Sequence, residues 1–289
     1  MGTSWHLALA GSASVRPIMQ DVLAAVIAES SLWEETSEIS RFNSAPAGTR
    51  LPLSPGFHEV VGAALRIARE SSGAFDPALG QLSAHWGFGP TAPLTDAEPP
   101  ARAAGWQSLA LSADSLTQPG GLWLDLNGIA KGQAVDRVAQ ALLAEGHRHF
   151  LIGIGGEYRG EGVRPDGQPW WVDVEQPPGA ALPPLHLALA GLSVATSGDY
   201  RRVRRHKGQS ISHSLDPRTG KPIPTGVASV AVLGPSCMVA DAEATAITVL
   251  GADEGLQWAT DRGLAAQILC RTPAGFHEYL TPALAEMLV

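Results

Sequence analysis

The segment Leu122-Trp-Leu-Asp-Leu-Asn-Gly-Ile-Ala-Lys-Gly132 passes from an apolar run, read as a strand over 122–126, through a glycine turn into a helix over 132–145 that Gly146 closes. A strand feeding a helix so directly excludes an all-helical bundle and an all-strand sandwich. The same interleaving continues outward. Upstream, 54–72 reads as a helix with Ser54 as N-cap, Pro55 in the first turn and Gly73 at the C-terminal end. Its buried stripe is Val60, Val61, Ala64, Leu65 and Ala68. A second helical spacing covers 17–33. Downstream, strands are expected over 150–154, 170–175, 227–233 and 264–269, helices over 238–250 and 255–262, and loops over 90–100 and 177–184. Mixed order and short strands imply an α+β class, one domain over 1–289 arranged as two lobes about a cleft.

Composition narrows the function. The chain has 289 residues, 45% hydrophobic and 17% charged, with 20 Lys and Arg against 28 Asp and Glu, a net charge of −8. Net acidity argues against a nucleic-acid partner, although Arg201-Arg-Val-Arg-Arg-His-Lys207 is a local basic patch. Only Cys237 and Cys270 are present, so neither a disulfide framework nor a cysteine zinc site is available. No run of apolar residues reaches membrane-spanning length. The N-terminal stretch lacks the basic and apolar regions of a signal peptide, so a cytoplasmic location is expected, or a periplasmic one if a leader has been removed.

Several polar, glycine-rich stretches interrupt the apolar pattern. Gly73-Ala-Phe-Asp-Pro77, followed by His85-Trp-Gly-Phe-Gly89, reads as a turn, because the residue before Pro is pushed out of the helical region. In Asp125-Leu-Asn-Gly-Ile-Ala-Lys-Gly132 the glycines expose backbone N–H groups near a helix N-terminus, which favours anionic oxygens, and Lys131 adds a charge for a phosphate. The P-loop pattern is absent. Gly153-Ile-Gly-Gly156 does not meet the dinucleotide fingerprint, and a bulge or close backbone approach explains these glycines. Thr196 and Ser197, within Ala195-Thr-Ser-Gly-Asp-Tyr200, offer hydroxyls to phosphate or ribose. His213, in Ser212-His-Ser-Leu-Asp-Pro217, is able to move a proton near neutrality. In Ala240-Asp-Ala-Glu-Ala-Thr245, Asp241 and Thr245 stand at i and i+4 on one helical face and present hard oxygens suited to Mg²⁺.

Taken in order, and together with Met1-Gly-Thr3, Ser37-Glu-Ile-Ser-Arg-Phe-Asn43 and Asp136, these segments resemble the FAD:protein FMN transferase (ApbE) family over nearly the whole chain. The resemblance implies a T-fold-related architecture with mixed or antiparallel sheets and FAD in the cleft between lobes. It implies Mg²⁺-dependent transfer of FMN from FAD to a Thr or Ser hydroxyl of an acceptor flavoprotein, releasing AMP. By family matching, the Gly128 carbonyl, Asp241 and Thr245 hold the metal. Met1, Trp33, Ala74, Phe75, Asp76, Asp125, Lys131 and Leu215 touch FAD, and Thr196 and Ser197 lie near its diphosphate. His213 matches a functionally important histidine, and either it or Asp125 serves the accepting hydroxyl. The chain departs from the family at Ala78, Glu157 and Ala244, and the last implies a leaner metal site. The alternatives are an FAD pyrophosphatase and a protein that binds FAD without turnover.

Overall fold

The computed structural model describes residues 3–11, 14–90, 98–100, 105–200 and 203–288. Most of the anticipated loop 90–100 lies outside the described residues, as does Met1. In chain order the elements are β1 (Trp5–Leu9), α1 (Arg16–Ser30), α2 (Glu38–Ser44), β2 (Arg50–Pro52), α3 (Pro55–Glu70), α4 (Gly80–His85), β3 (Ala110–Leu111), β4 (Ser115–Thr117), α5 (Ala130–Ala144), β5 (Phe150–Ile154), β6 (Glu157–Glu161), β7 (Trp170–Asp173), β8 (His186–Leu189), β9 (Leu192–Gly198), β10 (Val203–His206), β11 (Gln209–Ser212), β12 (Leu215–Asp216), β13 (Lys221–Pro222), β14 (Val227–Gly234), α6 (Cys237–Leu250), α7 (Ala252–Asp261), β15 (Ala265–Thr272), β16 (Gly275–Leu280) and α8 (Pro282–Met287).

The principal sheet has the order β1-β5-β6-β9-β14-β15-β16, every neighbouring pair antiparallel. Its centre is buried on both sides. Val230 and Val232 of β14 face a core shared with α1, α5, α6 and α7, whereas Ala231 and Leu233 face one shared with the β7–β8 hairpin and α8. A third core forms the second lobe. Here α2, α3 and the small sheet β2-β4-β3 enclose Phe42, Phe57, Val60, Leu116 and Leu124.

α6 belongs to both lobes. Ala240, Ala244 and Ile247 pack into the sheet core, and Met238, Ala242 and Ala246 into the small lobe. A helix apolar on opposite faces is buried rather than amphipathic, and that burial sets the environment of every polar side chain it carries. α3 forms as its sequence dictates. Ser54 Oγ accepts from Phe57 N at 3.2 Å, Pro55 opens the first turn, and the anticipated stripe is buried. Each large side chain of that stripe contributes about 1.5–3 kcal/mol. Gly73, at φ +85°, stops the helix and donates its N–H to Ala68 O.

Three expectations are corrected. Residues 122–126 join no ladder, although Leu122, Leu124 and Leu126 alternate inward. Their backbone groups are met otherwise: the Asn43 side chain donates to Leu124 O and accepts from Leu124 N, and Gly80 N donates to Trp123 O. The helix expected from 132 begins at Ala130, and the one expected over 255–262 is α7, which begins at Ala252. The glycines of 153–156 mark no bulge, because the β5–β6 register is continuous. Gly155 and Gly156 make the two-residue turn at φ +68° and +113°. Gly153 is the close approach, since a Cβ there would lie 2.2 Å from His6 Cε1.

Candidate functional site

Where the lobes meet, one cavity of about 460 Å³ opens beside α6, within the range of small-molecule sites. Two loops build its small-lobe wall. Asp76 Oδ1 accepts from Ala78 N at 2.8 Å, which fixes the Asp-Pro turn, and Pro77 O accepts from Asp125 N at 2.8 Å, which fastens that turn to the next loop. Asp125 then closes its own turn. Its Oδ1 accepts from Asn127 N and Nδ2, at 2.9 and 2.7 Å, and its Oδ2 accepts from Ser83 Oγ at 2.6 Å. Both carboxylate oxygens are engaged in holding the loop.

The opposite side rests on α6. Asp136 of α5 receives the first turn of that helix: its carboxylate accepts from Cys237 N and Met238 N, both at 3.0 Å, from Ser236 Oγ at 2.7 Å and from Arg159 at 3.2 Å. A carboxylate at a helix N-terminus satisfies otherwise unpaired donors and complements the helix dipole. So anchored, α6 presents Asp241 and, one turn on, Thr245 to the cavity.

Asp241 is buried. Its Oδ2 accepts from Gly132 N at 3.0 Å and its Oδ1 lies 3.7 Å from Lys131 Nζ, which also pairs with the buried Glu157. Burial pushes both carboxyls up, Glu157 to about 7, while the Lys131 ammonium pulls against it. Burial works to lower Lys131, but Asp241 and Glu157 together outweigh it and hold the amine above its ordinary range. Glu157 Oε2 has no hydrogen-bond partner among the described residues.

Gly128 faces Thr245. A Cβ at Gly128 would sit 2.8 Å from Thr245 Oγ1 and 3.4 Å from the Phe75 ring, so only glycine leaves that space open. Gly128, Asp241 and Thr245 line the same cavity, and the last two bring side-chain hard oxygens to it. This donor chemistry fits Mg²⁺, which keeps waters and takes phosphate oxygens as further ligands. Among the described residues no group of three or more His, Cys, Asp or Glu side chains is placed to hold a metal.

Ala74, Phe75, Asp76, Asp125, Gly128, Lys131, Thr196, Ser197, His213, Leu215, Asp241 and Thr245 all line this cavity. Trp33 does not: it follows the end of α1 and is 52% exposed. The family resemblance implies that it touches FAD. Residues given no role from the sequence also line the wall, among them Ser83, Asn127, Tyr158, Tyr200 and the run from Val172 in β7 to Glu175 just beyond it. Ser83 had a usable signal, being one helical turn before the quoted Trp86-Gly-Phe-Gly89. The β7 residues had none, since sheet topology alone brings them here. No helix of the described residues is long and apolar enough to cross a membrane.

Similarity to known proteins covers the whole of this arrangement. A curated FAD:protein FMN transferase of Vibrio cholerae is 34% identical, over 100% of this chain and 90% of its own length. One from Haemophilus influenzae is 32% identical, over 96% of this chain and 86% of its own. Among solved structures, the flavinyl transferase ApbE of Pseudomonas stutzeri in its apo form superposes with a TM-score of 0.86 at 32% identity, covering 98% of this chain and 96% of that one. The Vibrio cholerae flavin transferase ApbE superposes with a TM-score of 0.87 at 31% identity. With the ApbE family pattern matching residues 1–268, the segments that build both walls of the cavity are those of that family, and the chain belongs to it.

Proposed function

We propose that this protein transfers the FMN half of FAD to a Thr or Ser hydroxyl of an acceptor flavoprotein and releases AMP. FMN transfer from FAD is the activity for which its relatives are named. The observation that carries the reading is the meeting of Asp241, Thr245, Gly128 and Lys131 on one wall of a cavity whose other wall is the Phe75–Asp125 loop pair.

The acceptor oxygen attacks the FMN phosphorus, the bridging P–O bond to the adenylate breaks, and AMP departs with the bridging oxygen. Negative charge grows on that oxygen. The Lys131 ammonium is the protein's own positive charge there, fixed by Glu157 and Asp241 before substrate arrives, so little reorganisation is needed. A Mg²⁺ held by Asp241, Thr245 and the Gly128 carbonyl would supply further stabilisation of the diphosphate charge. The hydroxyl proton needs a base. His213 lines the cavity with its ring edge-on to Phe88 at 6.2 Å. Asp125 has both oxygens taken by Asn127 and Ser83. Asp125 therefore shapes the turn, and His213, an imidazole in the cavity wall, is taken as the base. Thr196 and Ser197, at the end of β9, offer hydroxyls to phosphate oxygens.

Incubation with FAD, Mg²⁺ and a Thr-bearing acceptor protein tests this. The expected result is an acid-stable fluorescent protein band with AMP released in equal amount. Free FMN with AMP would mean that water takes the place of the hydroxyl. FAD retained without AMP release would mean binding only.

A further inference from the structure

Tyr200 and His213 both line the cavity, and from 203 to 212 the chain runs out, turns and comes back. The excursion is the β10–β11 hairpin, paired in the register Arg204↔Ile211 and Arg205↔Ser210. Lys207 and Gly208, at φ +48° and +81°, make its two-residue turn, the geometry that suits strand twist. It is fixed in place rather than loose. The His206 ring meets Trp86 edge-on at 5.6 Å, and Ile211 packs against Leu82, Trp86 and Leu215.

The hairpin is out of character with the molecule. The sequence from Arg201 to Lys207 concentrates cations in a chain of net charge −8. Arg201 and Arg202 lie outside the described residues, but Arg204, Arg205 and Lys207 are exposed. Elsewhere arginines are matched to acids: Arg50 to Asp114, Arg137 to Glu29, Arg159 to Asp136 and Glu161, Arg271 to Asp199. Among the described residues no ion pair includes Arg204 or Arg205, and neither β10 nor β11 carries an acid. The cavity wall below is acidic, with Asp76, Asp125, Asp173 and Asp241, so the sign of charge reverses at this rim. Consecutive in β10, Arg204 and Arg205 point to opposite faces of the hairpin, so both faces carry positive charge, and a negative surface meeting this edge is attracted by it.

We propose that the β10–β11 hairpin is the docking edge for the acceptor protein, where Arg204 and Arg205 recognise acidic residues flanking the hydroxyl to be modified. The proposal rests on the reading of the cavity as an FMN transferase site. Whatever delivers a hydroxyl into the cavity must lie against its rim, and the hairpin rises from that rim at both feet. Complementary charge there would steer the encounter and fix the approach, and salt would weaken it.

The test uses rhodamine-labelled peptides of equal length, each with one central Thr and with Asp/Glu, Lys or Ser/Gly flanks. Their binding to the FAD-loaded enzyme is measured by anisotropy at low and high ionic strength. We expect the acidic-flanked peptide to bind about tenfold more tightly than the uncharged one at low ionic strength, with the advantage collapsing at high salt. Arg204→Glu with Arg205→Glu should reverse the order in favour of Lys flanks. Arg204→Lys with Arg205→Lys should preserve it. FAD affinity should be the same in all three proteins. Equal binding of all peptides, or an order that survives the charge reversal, would overturn the proposal. So would a loss of FAD affinity in the reversed variant, which would give the hairpin to the nucleotide. Binding of phosphatidylglycerol vesicles that the reversed variant loses, with no peptide preference, would give it to a lipid surface. Failure of the transferase reading is separately visible, as a wild-type protein that neither retains FAD nor releases AMP.

Discussion

The backbone N–H of Gly132 donates to the Asp241 carboxylate at 3.0 Å, so the first turn of α5 holds a side chain of α6. The two helices are nearly in contact there. A Cβ at Gly132 would come within 2.3 Å of Cys237 O and 2.7 Å of Met238 Cα. These are backbone atoms, which do not step aside as a side-chain tip does.

Gly132→Ala should therefore separate α5 from α6. Alanine gains about 1 kcal/mol of helix propensity, but overpacking against backbone costs about 1–3 kcal/mol, and the second effect wins. The expected outcome is a lower denaturation midpoint together with a loss of FMN transfer beyond what the stability change explains, because the Asp241 hydrogen bond lengthens. A variant with normal transfer would show that the bond does not position Asp241.

Asp241→Asn probes the charge itself. Asparagine keeps an oxygen for Gly132 N and nearly the same volume, so the fold should persist. The Lys131 ammonium would retain only Glu157 as a partner. AMP release should fall by about 100-fold or more, and its dependence on Mg²⁺ concentration should move to much higher values. FAD affinity should change less. An unaltered Mg²⁺ titration would remove Asp241 from the metal set.

His213→Ala separates proton transfer from binding. General-base loss costs typically about 10²–10⁴ in rate, and the His213 ring meets Phe88 edge-on in the cavity wall. The turnover number should drop within that range while FAD affinity holds. The reverse pattern, weak binding with normal turnover, would make His213 a binding residue.

The parts of this molecule that were legible in the sequence are those whose local chemistry agrees with their tertiary setting. α3 carries its cap, its proline and its stripe, and β14 is apolar on both faces but for Ser229 because both its faces are buried. The site loops were legible because Asp, Gly and hydroxyl residues interrupt apolar runs where packing has no use for them. The remainder depends on partners distant in sequence. β6 reads as polar surface, yet Glu157 becomes buried once Lys131 comes across to it. Leu122 to Leu126 alternates like a strand but spends its hydrogen bonds on Asn43 and the turn near Gly80. Trp33 stands exposed outside the cavity lining, a placement that no local pattern in the sequence signals.

Glu29 gives the acid limb of stability a definite sign. It is buried near the end of α1 and accepts from Arg137 at 2.5 Å, with Gly56 so close that a Cβ there would touch both groups. Burial raises its carboxyl above 4.5, Arg137 opposes this, and Glu38 adds to it. The folded protein therefore holds the proton to higher pH than the unfolded chain does. Stability falls with rising pH wherever the folded state binds more protons, so this group contributes a decline that begins near 4.5 and ends above the raised folded value. Glu29→Gln, which keeps an acceptor for Arg137 without a titrating proton, should flatten that part of the profile. Urea denaturation of both proteins across this window provides the check, and parallel profiles would show that Glu29 binds its proton equally in the folded and unfolded states.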